Sequence, residues 1–411
     1  MPATKAIISH DESSMSSPVS CLHTKSQPLD DRRHIYRSLD RTNNSIRLIS
    51  IHRETNGPIH GQLHNYAFDS CPPFIALSYT WDSSPEDWMP CPKTRNSRNI
   101  ILDGEDFEVR NNLHLALNMI LARKMEVGGE LTYMLNPRYW QFFWIDALCI
   151  NQENLLERNH QVNMMGEIFA GAAFVMAWLG PPSDDSDLAF DSILSLRTTK
   201  DYVYPFDTPE KQAVESLRDC KYWQRIWIIQ EFVLAPDVVL ACGTRHVLLR
   251  ELKYYLEVIR VWGVKLNSHG TVLKQRELRE RSRKSGKSTD LIDLVIRFSD
   301  SKCAEPRDHV FGLLGLVDKE YELKTPHGLL LEADYSVSIE CLYDRIMRAA
   351  LKKWFRESQL WLLSGFGWRL AQALKPEGQH FRGNLLFKRW FDEESFPIDL
   401  LKSRRLVPED E

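Results

Sequence analysis

Apolar and polar positions alternate along Ser45-Ile46-Arg47-Leu48-Ile49-Ser50-Ile51, a period of two that predicts a strand. Residues 74–79 are apolar almost throughout, as in a strand covered on both faces. Residues 99–102 and 107–110 flank Asp103-Gly104, a pair suited to a tight hairpin turn. Leu113, Leu117 and Ile120 then recur at helical spacing before the Gly128-Gly129 break, and residues 142–149 predict another strand. A helix over 155–172 places Val162, Met165, Phe169 and Ala172 on one face. Residues 174–179 read as a strand stopped by Gly180-Pro181-Pro182.

Thr208-Pro209-Glu210 carries the N-cap, N1 proline and first-turn acid of a helix start. A further helix is expected over 221–235, where Pro236 ends it, and a strand over 238–242. Past Arg245 helical patterns take over, at 252–264, at 289–298, and behind Ser336 as N-cap. The last carries an apolar stripe of Ile339, Leu342, Tyr343, Ile346, Met347, Ala350 and Leu351. Alternating helices and strands predict an α/β fold: a mainly parallel open sheet with an added β-hairpin, followed by an α-helical C-terminal region. The expected division is a disordered polar leader over 1–33, an α/β domain over 34–245, and helices packed on it over 246–411.

Composition narrows the partners. A 411-residue chain with 43% apolar residues can bury a sizeable core, and a net charge of −4 gives no overall attraction to nucleic acid. Eight cysteines without a CxxC pair read as reduced, mostly structural thiols. The longest nearly uncharged apolar stretch, residues 170–180, falls short of the roughly 20 residues that span a bilayer, so no membrane segment is expected.

Asp146 is the sole acid of its apolar run, so its carboxylate needs hydrogen bonds or a place where the sheet opens to a ligand. Asn151 and Gln152 follow at the carboxyl end of that run. They either join such a site or tie loop backbone to the next helix. Glu231 lies on a helix apolar nearly all round, with no basic residue three or four positions away. Such an acid finds a tertiary partner, opens onto a cleft, or has its pKa raised. Ser78, Tyr79 and Trp81 end the first dense strand, where a hydroxyl beside aromatic faces suits a planar ligand; packing at the core's rim is the alternative. Gly286-Lys287-Ser288-Thr289 imitates the tail of a phosphate loop, but Arg281 stands where the first glycine belongs. HExxH, GxSxG, GxGxxG and metal-spaced Cys/His clusters are absent from the sequence.

Three segments together, Ala76 to Trp81, Trp144 to Gln152 and Tyr222 to Glu231, resemble the heterokaryon incompatibility (HET) domain of filamentous fungi. That family's pattern runs ALSYxWG, WIDALCINQ and YWxRxWxxQE. Glu305-Pro306-Arg307-Asp308-His309-Val310-Phe311-Gly312-Leu313-Leu314-Gly315-Leu316 is similar to a DPRDKVYALLGL segment found downstream of the domain. Asp82 stands where the family has a glycine, and the chain ends soon after Trp368 without the family's tryptophan-rich end.

The resemblance implies a cytoplasmic effector of non-self recognition and programmed cell death, acting with itself or with a partner incompatibility protein. HET domains in turn resemble the flavodoxin-like TIR domain, some members of which cleave NAD with a helix glutamate. That likeness implies Glu231 and Asp146 as catalytic residues. Ser78, Tyr79, Trp81, Asn151, Gln152 and Trp227 then become ligand contacts, with NAD a substrate and no bound cofactor. A non-enzymatic signalling module, self-associating through the tryptophan-bearing helix, and an inactive family member are the competing expectations.

Overall fold

The computed structural model describes residues 35–55, 57–81, 97–125, 138–183, 185–195, 208–260, 290–317, 331–356 and 362–374. The expected leader over 1–33 and the Gly286-Lys287-Ser288-Thr289 segment lie outside the described residues. Nine strands form one sheet: β1 Ser45–Arg53, β2 Ile59–Ala67, β3 Ile75–Tyr79, β4 Ser97–Leu102, β5 Glu105–Arg110, β6 Phe143–Trp144, β7 Phe174–Gly180, β8 Val238–Cys242 and β9 Arg245–Leu248. Their order across the sheet is β5-β4-β2-β1-β6-β3-β7-β8-β9.

The sheet is mixed. The block β6-β3-β7-β8 is parallel, whereas β1 runs antiparallel to both β2 and β6, β4 to β5, and β8 to β9. The expectation of a mainly parallel sheet therefore holds only for that block and for the β2–β4 pairing. Strands β2 and β9 were not foreseen. Strand β2 intersperses glycine and histidine among its apolar positions, and β9 is four residues long, so neither gives a clear period of two. Within the parallel block the chain order is second, first, third, fourth, so connections leave β3 and β7 in opposite directions. A crevice at the carboxyl ends of two such strands is where open α/β sheets bind ligands.

The helices of the α/β part are α1 Asn111–Met125, α2 Asp146–Cys149, α3 Leu155–Gly171, α4 Ser186–Ser195, α5 Pro209–Asp219, α6 Ile228–Leu234 and α7 Leu249–Arg260. Thr208 caps α5 as expected, its side chain accepting the Lys211 N–H. At the β4–β5 hairpin, Asp103 and Gly104 adopt φ of 50° and 89°, both in the region the turn requires.

Two predicted elements came out differently. Residues 142–149 yield only the two-residue β6 followed by the turn α2, because an apolar run fits a buried helical turn as well as a strand. Residues 221–235 are broken into a 3-10 turn, Lys221–Gln224, and α6. Between them Arg225 pairs with Lys302, with Ile226 N–H bonding the Lys302 carbonyl at 2.9 Å and Lys302 N–H the Gln224 carbonyl at 2.6 Å. A downstream strand-like contact thus overrides local helical preference.

The helices Leu291–Arg297, Asp308–Leu314, Ile339–Arg356 and Leu362–Ala373 follow. Ser338 rather than Ser336 caps the third of these, accepting the Cys341 N–H at 3.2 Å, because Ser336 Oγ donates to Asp334 instead. Cys71, Cys149, Cys220, Cys242 and Cys303 are free; Cys341 is disulfide-bonded, against the expectation of reduced thiols throughout.

Two contacts fix the layers. Arg47, pointing inward from β1, pairs with Glu157 of α3 and donates to the Cys149 carbonyl at 3.2 Å, while Glu157 also accepts the Asn151 N–H at 2.7 Å. Gly166 of α3 meets Gly315 backbone to backbone: a Cβ on Gly315 would come within 2.5 Å of Gln230 Oε1 and 2.9 Å of the Gly166 Cα. Gly315→Ala is expected to destabilise the fold by about 1–3 kcal/mol through overpacking, measured by urea unfolding. Arg47→Met, which strands a buried carboxylate, is expected to cost about 3–5 kcal/mol in the same assay.

Candidate functional site

Strand β3 ends beside α2 and α6, and its alternation sends neighbouring side chains to different partners. Ser78, 1% exposed, donates to Glu231 Oε2 and exchanges a hydrogen bond with the Tyr222 hydroxyl at 2.5 Å. Tyr79 bonds Asp146, and the Trp81 indole N–H donates to Asp146 Oδ2 at 2.9 Å. Asp146 Oδ1 accepts its own helix's Ala147 N–H at 2.7 Å, and Gln152 Nε2 donates to the Asp146 backbone carbonyl at 3.0 Å. The turn that replaced the expected strand is therefore what presents the Asp146 carboxylate at the end of β3.

Glu231 is 3% exposed and Asp146 only partly so. Burial raises the pKa of both, the charge of Arg225 opposes the rise in both, and the charge of Asp146 pushes Glu231 up further. Arg225 Nη1 lies 3.7 Å from Glu231 Oε2, within ion-pair range but too far for a hydrogen bond. That nitrogen is buried without a hydrogen-bond partner, on a side chain 18% exposed. The Arg110 guanidinium lies 5.9 Å from the centre of the Trp81 ring. Burial and the neighbouring carboxylates hold the phenols Tyr79 and Tyr222 protonated.

Six of the eight residues singled out from sequence meet here: Glu231, Asp146, Ser78, Tyr79 and Trp81 directly, and Gln152 through the Asp146 backbone. Asn151 serves another network, its N–H on Glu157 and its side-chain oxygen accepting the Glu153 N–H at 3.1 Å. Trp227 also lies elsewhere: its indole N–H donates to Asp308 Oδ2 at 2.9 Å, and Asp308 Oδ1 accepts the Tyr335 hydroxyl at 2.7 Å. One turn of helix separates Trp227 from Glu231, the Glu231 N–H bonding the Trp227 carbonyl at 3.3 Å, but the Trp227 indole reaches the downstream helix. Arg225 and Tyr222 were missed as site residues; their place in the segment Tyr222 to Glu231, which fits the pattern YWxRxWxxQE, was the available signal.

Two carboxyl groups, one guanidinium and a Tyr222–Ser78–Glu231 hydroxyl chain can hold and relay a proton and present negative charge to a cation. Among the described residues no group of three or more His, Cys, Asp or Glu side chains could hold a metal ion. No helix among them is long and apolar enough to cross a membrane.

Residues 74–231, the stretch that builds this cluster, match the family model for heterokaryon incompatibility protein (HET). That stretch is similar to the HET domain and makes up less than half of the chain. The chain is similar to heterokaryon incompatibility protein 6, OR allele, of Neurospora crassa, with 27% identity over 241 residues. That alignment covers 49% of this chain and 34% of the relative, so the chain spans about a third of the relative's length. No solved structure matches the chain.

The raised carboxyl pKa values carry a stability signature. As pH rises past the ordinary glutamate value of 4.5, the unfolded chain loses a proton that folded Glu231 keeps, so stability falls until the folded group ionises. Glu231→Gln is expected to shrink that fall, with urea midpoints at acidic and neutral pH lying closer together than in the wild type. Ser78→Ala, which leaves Tyr222 and Glu231 without their shared hydroxyl, is expected to cost about 1–3 kcal/mol by the same measurement.

Proposed function

We propose that this chain is an incompatibility effector of a filamentous fungus, cytoplasmic, whose HET domain hydrolyses the nicotinamide–ribose bond of NAD or a related nucleotide at the Asp146–Glu231 cluster. The domain comprises residues 34–245, and the helices of 246–411 buttress it. The observation that carries the reading is the convergence of Ser78, Tyr79, Trp81, Asp146 and Glu231, from three distant segments, around the carboxyl end of β3. The parallel block's order matches that of flavodoxin-like folds, the class to which TIR domains belong, and its switch point adjoins this cluster.

In the reaction, the bond between ribose C1′ and nicotinamide breaks with its electron pair leaving on nicotinamide. Positive charge grows on the ribosyl group, water adds at C1′, and one proton is released. A buried carboxylate offsets that positive charge, Glu231 orients the ribose hydroxyls, and Trp81 offers a face for the planar ring.

A second reading is a non-enzymatic signalling module, favoured by the near-complete burial of Ser78 and Glu231. Self-association through the helix around residues 222–234 finds little support, because Tyr222, Trp223 and every residue of α6 are buried. The two readings part on turnover. Purified protein incubated with NAD is expected to release nicotinamide, with Glu231→Gln and Asp146→Asn at least tenfold slower while retaining the wild-type circular dichroism spectrum. No release from the folded wild-type protein overturns the enzymatic reading in favour of the signalling one.

A further inference from the structure

The two acids of the cluster are not equivalent. Asp146 accepts three donors, the Trp81 indole, the Ala147 N–H and the Tyr79 hydroxyl, each of which favours its ionised form. Glu231 is more deeply buried and receives the Ser78 hydroxyl, with Arg225 standing off at 3.7 Å. Arg225 is held there by backbone: its neighbours Gln224 and Ile226 both bond Lys302 across the bridge that broke the expected helix. The backbone that carries the guanidinium is thus fixed by the downstream region.

We propose that Arg225 is a positioning residue that makes Asp146 and Glu231 one acid pair, keeping Asp146 ionised while Glu231 holds the proton that the pair retains longest. Glu231 then meets a ligand as a hydrogen-bonding acid, and Asp146 supplies the fixed negative charge. This rests on reading the cluster as a reactive site, but not on any particular substrate. The charge of Asp146 raises Glu231, while burial raises both acids and the charge of Arg225 opposes the rise in both.

The other groups facing the pair are accounted for. Tyr79 from β3 and Tyr222 from the 3-10 turn remain protonated, and the charge of Arg110, at the end of β5, bears on Tyr79. Helix α3 meets α6 at Gly166 and Leu234. Asp308, on the downstream helix packed against α6, is turned to Trp227 and Tyr335.

The test is a carboxyl 13C NMR titration of full-length protein, with resonances assigned through Glu231→Gln and Asp146→Asn. In the wild type Glu231 is expected to titrate above Asp146. In Arg225→Gln both midpoints are expected to rise, Asp146 by about one pH unit or more, and Arg225→Lys is expected to return them most of the way. Unmoved midpoints in Arg225→Gln, or Asp146 titrating above Glu231 in the wild type, overturn the proposal. Should Arg225→Gln not fold, the same rise of Asp146 is expected in Arg225→Gln/Glu231→Gln relative to Glu231→Gln alone. Failure of that double variant to fold also overturns it, since a positioning residue leaves the fold standing. Nicotinamide release bears only on the proposed reaction, so the two ideas fail separately.

Discussion

Two acids enclosed at the end of a buried strand set the terms for the rest of this structure. A carboxylate taken out of water must be hydrogen-bonded, paired or neutralised. Glu231 and Asp146 draw on all three remedies: Ser78 and Trp81 bond them, Arg225 offsets their charge, and both are pushed toward the protonated form. Each remedy comes from a different segment. Tying those segments together commits the strand end, the α2 turn and α6 to one geometry.

The downstream region takes part in this arrangement. Lys302 straightens the chain at Arg225, Gly315 lets its helix close on Gly166, and Asp308 gathers Trp227 and Tyr335. Asp308 is itself pushed up to about 6 by burial. Arg307 fastens residues 335–337 through their carbonyls, at 2.6 and 2.8 Å. The helical region therefore shapes the cluster through backbone, although it contributes none of the acids.

Much of this was legible in the chain. Residues 74–79, 174–179 and 238–242 are strands because they are apolar runs of strand length between breakers, and the Asp103-Gly104 hairpin and the Thr208 cap rest on local turn and cap chemistry. The candidate acids were legible for the opposite reason, as isolated charges in apolar surroundings. Where reading failed, local pattern was not enough: Lys302 divided the helix expected over 221–235, and the α2 turn replaced strand where apolarity alone gave no period. Trp227 was misplaced because its indole finds Asp308 on a downstream helix, and Asn151 joined the Arg47–Glu157 pair that only tertiary contact reveals.

The central claim is that a protonated carboxyl persists inside this domain where exposed glutamates have ionised. A series of infrared difference spectra of wild-type protein against Glu231→Gln, taken as pH rises through the ordinary glutamate value of 4.5, tests it most directly. The account predicts a carbonyl stretch of neutral carboxylic acid that persists in the wild type above that value and that the variant lacks. Spectra showing only ionised carboxylate for Glu231 as soon as exposed glutamates have ionised would contradict it.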